Sequence, residues 1–201
     1  WIVGSPAEEL HFRGDASGRL EVTRLAAPDR SIGGVGTPTR TTVSAPSDSP
    51  GGLTTLWSSE LAGTVSTWTQ AVDGSAVVLG LQSGEVVLLD GDGRVKWRTD
   101  GPATVSAISL TTSGIYVGTV SGLVSRIDRQ TGTVLWRFAC TFRQERLYWP
   151  WWFLETPLIG ALAVGQDAGH GREIVAAGTG SANLVFLDGS SGELMEDVLS
   201  P

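Results

Sequence analysis

A repeated pattern constrains the fold of this chain more than any other feature of its sequence. The segments VVLGLQSGEVVLLDGDGRVKW (77–97) and IYVGTVSGLVSRIDRQTGTVLW (115–136) align as two copies of one pattern. Each copy holds short apolar runs, an Asp-and-Gly turn and a closing Trp. The steps from Trp57 to Trp97 and from Trp97 to Trp136 are close to the ~40 residues of a four-stranded propeller blade. The pattern therefore predicts a repeated array of small sheets.

Two further segments align less well with the pattern. Residues 174–197 form a third copy, in which Glu196 occupies the Trp position. Residues 1–22 form a fainter fourth copy, with Val22 in that position. The step from Trp136 to Glu196 is longer than the others by about half a blade, so the third copy must follow an insertion.

The apolar runs of the pattern are rich in β-branched residues and are bounded by Gly, Ser and Asp, which is typical of strands. We expect Val77–Leu81, Glu85–Leu89 and Arg94–Thr99 to be consecutive antiparallel strands of one sheet. Val105–Leu110 should open the next sheet. The prediction is an all-β fold with negligible helix.

The turn and the Trp have structural interpretations. Asp128 can accept hydrogen bonds from backbone N–H groups of its own turn, and Gly132 can take the left-handed conformation that begins the next strand. Trp57, Trp97 and Trp136 each lie near a blade end, where an indole can bridge two sheets and donate its N–H to a carbonyl. Trp97 and Trp136 should then be largely buried in matching sites. Glu196, in the third such site, should be exposed or hydrogen-bonded.

The motif Asp128-x-x-Thr131-Gly132-x-x-x-Trp136 resembles the tryptophan-docking repeat of pyrroloquinoline-quinone-type β-propellers. The resemblance covers residues 57–197 and, weakly, 1–22. It implies a β-propeller of four-stranded blades, a fold shared by quinoprotein dehydrogenases and cofactor-free binding proteins. At ~40 residues a blade, 201 residues hold four to five blades, so we expect a segment of a larger propeller. The family has a small residue two positions before the Asp, where this chain has Arg126.

We divide the chain into three parts. Residues 1–26 are predicted to be a partial blade, and residues 56–201 to be blades with an aromatic insertion at 137–157. Residues 27–55 are rich in Pro, Gly, Ser and Thr and poor in large apolar residues. They are interpreted as a flexible insertion, because so few apolar side chains cannot offset the entropy of ordering. A degenerate blade is the alternative.

Composition excludes several classes of function. The net charge is −7, and no stripe of Lys and Arg is present to neutralise phosphates, so a nucleic-acid partner is not expected. No apolar run reaches the ~18 residues of a membrane span. Cys140 is the single cysteine, and we interpret it as a small buried hydrophobe. The chain begins at Trp1 with neither an initiator Met nor a signal peptide, so we expect a piece of a longer protein and assign no localisation.

The insertion RFACTFRQERLYWPWWF (137–153) concentrates aromatic residues. In a propeller, this connection crosses one face from the outermost strand of a blade to the innermost strand of the next. Aromatic and Arg side chains dominate interface hot spots, and a hydrophobic plug on the propeller is the alternative. The predicted contacts for a protein partner, or for a carbohydrate or small ligand, are Trp149, Trp151, Trp152, Tyr148, Arg143 and Arg146.

The segment LAVGQDAGHGREIVAAG (162–178) resembles the calcium loops of integrin-type propellers. Calcium requires six to eight oxygen ligands, and this window offers the carboxylates of Asp167 and Glu173 only. A plain turn is the preferred interpretation and a weak metal site the alternative. No metal, cofactor or catalytic residue is assigned.

The predicted function is a non-catalytic propeller that acts as a protein-interaction or assembly scaffold. An accessory module of a larger enzyme, binding a ligand or carbohydrate, is the alternative, and a fragment of a quinoprotein dehydrogenase ranks below it. The family's quinone cage implies a roof of adjacent disulfide-bonded cysteines and a calcium-ligand set with a catalytic Asp. One cysteine cannot form that roof within this chain.

Overall fold

A computed structural model describes residues 10–14, 19–25, 53–140, 158–167, 169–180 and 183–199. Every regular element within these ranges is a β-strand, so they contain no helix capable of crossing a membrane. The strands are β1 Leu10–Gly14, β2 Arg19–Leu25, β3 Leu53–Glu60, β4 Val65–Gln70, β5 Ala76–Leu81, β6 Val86–Asp90, β7 Val95–Thr99, β8 Val105–Leu110, β9 Ile115–Thr119, β10 Leu123–Ile127, β11 Val134–Ala139, β12 Ile159–Gln166, β13 Glu173–Thr179, β14 Asn183–Asp188 and β15 Leu194–Leu199.

These strands form four antiparallel sheets in chain order: sheet I (β1–β3), sheet II (β4–β7), sheet III (β8–β11) and sheet IV (β12–β15). Sheets II, III and IV have four strands each, and the described part of sheet I has three. The predicted strands 77–81, 85–89 and 94–99 are confirmed as β5, β6 and β7, and 105–110 opens sheet III as β8. The first strands β4, β8 and β12 lie side by side, which makes them the inner strands of successive propeller blades.

The cores lie between the sheets. Val78 and Leu88 of sheet II pack with Val105, Ile115 and Ile127 of sheet III. In the same way, one face of sheet III packs on sheet IV. Since side chains alternate between the two faces of a strand, each sheet contributes one face to the core on either side. This explains the unbroken apolar runs in β5 and β6, which are buried on both faces.

Glycines allow the sheets to approach closely. A Cβ at Gly80 would collide with Val105, and one at Gly118 would collide with Ile159, the first residues of the next inner strands. Beside them, the Ser66 and Ser106 hydroxyls lie 2.6 Å from the carbonyl oxygens of Val105 and Ile159 respectively. Each serine is the extra residue of a β-bulge, which turns its side chain toward the neighbouring sheet.

Sheet I corrects the alignment of the first copy. Val22 does not occupy the Trp position, because it pairs with Trp57 across β2 and β3. Leu88 and Trp97 pair in the same way in sheet II, each pair preceding a bulge. Trp57 therefore lies on the last strand of the sheet that contains Val22. Leu25 pairs with Leu53, so residues 26–52 connect two strands of one sheet. Their conformation lies outside the described residues.

The aromatic insertion begins later than predicted. Strand β11 continues to Ala139, and Phe138 packs against the core between sheets III and IV. Cys140 is buried in that core, as expected for a small hydrophobe, and burial raises the pKa of its thiol to about 11. Residues 137–140 thus belong to the sheet and its edge.

Candidate interaction face

Connections between strands lie on two opposite faces of the propeller. One face, which we call the link face, carries the β5–β6 and β9–β10 turns and the links that run from one sheet to the next. The link from β7 to β8 is short, spanning residues 100–104. The link from β11 to β12 spans residues 140–158 and contains most of the predicted aromatic insertion. The insertion is therefore attached to the link face, as the sequence predicts.

Both ends of this longer link are held by backbone hydrogen bonds. The Cys140 N–H donates to the Gly122 carbonyl in the β9–β10 turn, at 2.9 Å. At the other end, the Gly180 N–H donates to the Leu158 carbonyl, at 2.7 Å. The insertion therefore leaves from the outer edge of sheet III and returns at the inner strand of sheet IV.

Two apolar side chains are exposed beside these anchors. Val120 is 41% exposed in the β9–β10 turn, and Leu158 is 39% exposed before β12. Their counterparts one sheet earlier are polar: Gln82 corresponds to Val120, and Thr104 corresponds to Leu158. The equivalence follows from three matching backbone hydrogen bonds, from Gln82 to Thr64, from Val120 to Thr104 and from Gly180 to Leu158. The link face thus becomes more apolar toward the insertion.

The predicted contact residues themselves lie outside the described part of the chain. They are Arg143, Arg146, Tyr148, Trp149, Trp151 and Trp152. The structure describes the attachment points of their segment.

The tryptophan positions show how the repeat joins its sheets. The Trp97 indole N–H donates to the Arg129 carbonyl at 3.0 Å, and its ring lies against Gly132, where an added Cβ would approach Cδ2 to 2.8 Å. Trp136 makes the matching contacts one sheet later, donating to Gly189 at 3.0 Å and packing on Gly192. The two indoles occupy equivalent sites, although each is partly rather than largely buried.

The turns that receive the indoles are organised by an aspartate. Oδ1 of Asp128 accepts hydrogen bonds from the N–H groups of Gln130 and Thr131, at 2.9 and 2.7 Å. Hydrogen bonds from Thr131 lower the pKa of Asp128. Asp188 makes the same turn, and hydrogen bonds from the Ser190 side chain and the Ser191 N–H lower its pKa to about 2. The Gly at the end of each turn has φ near +75°, at Gly132 and Gly192, so the motif serves the fold.

Trp57 and Glu196 lie at the same position of the strand pairing as Trp97 and Trp136. Trp57 pairs with Val22 and Glu196 pairs with Phe186, each directly before the bulge of the outer strand. Glu196 is exposed, as expected for the third site. An indole and a carboxylate thus occupy the same register position in sheets III and IV.

A polar network joins sheets III and IV, and the sequence did not predict it. The Gly189 carbonyl accepts hydrogen bonds from Trp136 and from Nη1 of Arg126 at 3.1 Å, and the Tyr116 hydroxyl oxygen lies 3.2 Å from it. The Glu173 carboxylate accepts hydrogen bonds from the Tyr116 hydroxyl and from Ser113.

Arg126 extends this network across the Tyr116 ring. Its guanidinium carbon lies 5.7 Å from the ring centroid, within cation–π range, and Nη2 donates to the Ser113 carbonyl at 3.0 Å. Burial and the bond to Glu173 both raise the pKa of Tyr116, so the phenol keeps its proton and donates it. Burial also raises the pKa of Glu173, but bonds from Ser113 and Tyr116 outweigh it and the net shift is downward.

The same positions between sheets II and III are apolar. Val78 and Leu88 take the places of Tyr116 and Arg126, as the strand pairing shows. Arg126 was the departure from the family pattern, and the network gives it a physical role. Its position was the one indication in the sequence that this interface differs.

The weak calcium candidates are committed to other bonds. The Asp167 carboxylate accepts the Gly169 N–H at 2.9 Å and contacts His170 Nδ1 at 2.8 Å, which makes a self-contained turn between β12 and β13. Glu173 is held by Ser113 and Tyr116. Over the described ranges, no three His, Cys, Asp or Glu side chains gather into a possible metal site. These residues do not fit a calcium-bound quinone.

Comparison with known proteins identifies the repeat. A family model described as outer membrane protein assembly factor BamB matches residues 41–198. No curated protein sequence matches the chain. A solved structure, BamB from Moraxella catarrhalis, is similar in fold, with a TM-score of 0.64 at 16% identity. The match covers 99% of this chain and 48% of that one, so this chain spans about half the length of its structural neighbour.

The family match covers most of the chain, and the fold agrees with it. Both support the resemblance to quinone-type repeats that the Asp, Gly and Trp positions indicated. The chain belongs to the outer membrane protein assembly factor BamB family of β-propeller repeat proteins.

Proposed function

We propose that this chain is a non-catalytic propeller scaffold that captures a protein partner at its link face, through the aromatic insertion between β11 and β12. The observation that carries the proposal is the attachment of this insertion, anchored at Cys140 and Leu158 beside exposed Val120. An aromatic-rich segment next to exposed apolar side chains has the composition of a hot spot. The family description supplies the partner class, a protein that takes part in outer-membrane protein assembly.

The scaffold role also agrees with the chemistry of the described residues. The conspicuous Asp, Gly and Trp residues hold turns and sheets together, and the acidic side chains near β12 and β13 are engaged in hydrogen bonds. Such residues specify a fold, and function has to be sought in the segments grafted onto it. The aromatic insertion is the segment that departs most clearly from the repeat.

The test replaces Trp149, Trp151 and Trp152 with Ala in a tagged full-length protein expressed in its native cell. Co-purification of outer-membrane protein assembly components is measured by mass spectrometry, together with the thermal unfolding midpoint. A matched control is Val72→Ala, which removes a 99% exposed apolar side chain from the β4–β5 turn on the opposite face.

We expect the triple variant to lose these components by at least tenfold while its unfolding midpoint stays within a few degrees, and Val72→Ala to retain them. Retained capture with a large fall in midpoint would show that the insertion is a core plug. Equal loss in both variants would place the contact elsewhere.

A further inference from the structure

Sheet IV presents an outward face that corresponds to the buried docking faces of sheets II and III. Strand pairing identifies the equivalent positions, because each set lies at the same offset from the bulge. Three residues of each sheet point toward the next sheet: Val78, Val86 and Leu88 in sheet II, Tyr116, Val124 and Arg126 in sheet III, and Ala176, Leu184 and Phe186 in sheet IV.

Burial differs sharply between these sets. Val86 is 2% exposed and Val124 is fully buried, whereas Leu184 is 39% exposed. Val78 and Tyr116 are fully buried, whereas Ala176 is partly exposed. The outward face of sheet IV is therefore an apolar docking face with no sheet packed on it in the described structure.

The space beside the glycine of the second strand, which we call the glycine cradle, is also open on this face. Gly80 and Gly118 are filled by the β-branched side chains of Val105 and Ile159 from the next inner strand. Their counterpart is Gly178, where the nearest atom to an added Cβ is in Ala161 of the same sheet, at 3.8 Å. The cradle matches the first residue of another inner strand, Val or Ile.

Two features make this third face different from the first two. Gly160 occupies the bulge position of Ser66 and Ser106, so no hydroxyl is available to bond the next sheet. Glu196 occupies the position of the docking tryptophans. Each docking indole donates its N–H to the backbone carbonyl that follows the turn aspartate. A carboxylate offers only acceptors and would repel that carbonyl, so it requires a donor from the incoming turn.

The propeller repeat itself implies a further four-stranded sheet on the outward face of sheet IV. We propose that the Asp-to-Gly turn of that sheet carries a cation that pairs with Glu196 and selects the sheet that docks there. Continuity with the two internal interfaces and the open Gly178 cradle define the shape of the occupant. The exposed Glu196 defines its charge. A second copy of this chain docked face to face would oppose two Glu196 side chains and two chains of net charge −7, so it is disfavoured.

Sheet III provides a model for such an occupant. Its inner strand begins with Val105, and its turn carries Arg129 directly after Asp128. Sheet IV carries Gly189 at that turn position. A docking Trp accepts either turn, because Trp97 bonds the carbonyl of Arg129 and Trp136 that of Gly189. A docking Glu should distinguish them, because only Arg brings a cation.

The test adds a second copy of residues 103–139 directly after Pro201 of the full chain. Val198 and Thr99 lie at the same register position of their sheets, so Pro201 is the equivalent of Pro102, the residue that precedes 103 in the chain. Docking is read from the rate at which a thiol reagent labels Ala176→Cys, with buried Cys140 as an internal reference for global unfolding. Four extended proteins are compared. The added copy carries either Arg129 or Arg129→Gly, and sheet IV carries either Glu196 or Glu196→Trp.

We expect the Arg copy to slow labelling at position 176 by tenfold or more and the Gly copy to slow it several-fold less. With Glu196→Trp, the two copies should protect equally. Labelling as fast as in the unextended chain for all four proteins would overturn the docking face. Equal protection by both copies in the Glu196 background would overturn the selection by charge.

Discussion

Replacing Gly132 with Ala should test whether the close approach of glycine and indole stabilises the joint between sheets. The substitution imposes two separate costs. Gly132 has φ +74°, and an L-residue in this left-handed conformation costs about 1–2 kcal/mol. The new Cβ would also lie 2.8 Å from Cδ2 of Trp97 and 2.9 Å from Oγ1 of Thr99, so the indole must move.

The second cost follows from what the displaced indole loses. Full truncation of a buried Trp costs about 3–5 kcal/mol, and Trp97 is partly buried, so displacement should cost about 1–3 kcal/mol. This includes weakening of the hydrogen bond to Arg129, which contributes about 1 kcal/mol. Gly132→Ala should therefore lower the free energy of unfolding by about 2–5 kcal/mol in total.

The chain contains matched controls for the backbone term. Gly74 has φ +69° and Gly171 has φ +64°, and an added Cβ at either meets nothing within 4 Å. Gly74→Ala and Gly171→Ala should each cost about 1–2 kcal/mol in urea unfolding followed by circular dichroism. In a Trp97→Ala background, the excess cost at Gly132 should shrink to the part that comes from the contact with Oγ1 of Thr99. If Gly132→Ala costs no more than Gly74→Ala, the glycine contact is not what holds the indole.

Two further predictions concern the polar groups. Arg126→Leu alone should lower the free energy of unfolding by about 2–4 kcal/mol, because it removes a donor to Gly189 and leaves the Tyr116–Glu173 pair without its cation. Adding Tyr116→Val and Glu173→Ser, which copies the interface between sheets II and III, should recover most of that loss in urea unfolding; a further loss would show that the network is net stabilising. The pKa of Asp188 falls from 3.8 to about 2 on folding, so its contribution is present above about pH 4 and is lost as the pH falls toward 2. Thermal midpoints measured from pH 5 to 2 should therefore fall more steeply for the wild type than for Asp188→Asn, and parallel curves would contradict the assignment.

The strands and the tryptophan sites could be predicted because their determinants are local. Alternating apolar residues, a turn rich in Asp and Gly and a Trp at fixed spacing recur within each ~40-residue unit. The first copy was aligned wrongly because every hairpin of a blade has the same form, a strand, a polar turn and a strand. The stretch from His11 to Val22 imitates the last hairpin of a blade, but it is an earlier hairpin, and Trp57 lies on the strand that follows.

The network between sheets III and IV could not be predicted in the same way. Tyr116, Arg126 and Glu173 lie in three different strands of two sheets. None of them recurs at the equivalent position of another described four-stranded sheet. Their meeting depends on the docking of one sheet on another, which no local pattern encodes. Arg126 alone stood out, since the family has a small residue at that position and the equivalent residues of this chain, Leu88 and Phe186, are apolar.

Each described strand of these sheets pairs only with its neighbours in the chain, and this order affects synthesis as well as packing. During translation, sheets II, III and IV can each close soon after their own last strand leaves the ribosome. Sheet I is different, because residues 26–52 must be made between β2 and β3. At ~5–20 residues per second, this delay is about 1–5 s. The nascent β1–β2 hairpin therefore waits with an unpaired edge while the chain that separates it from its third strand is still being made.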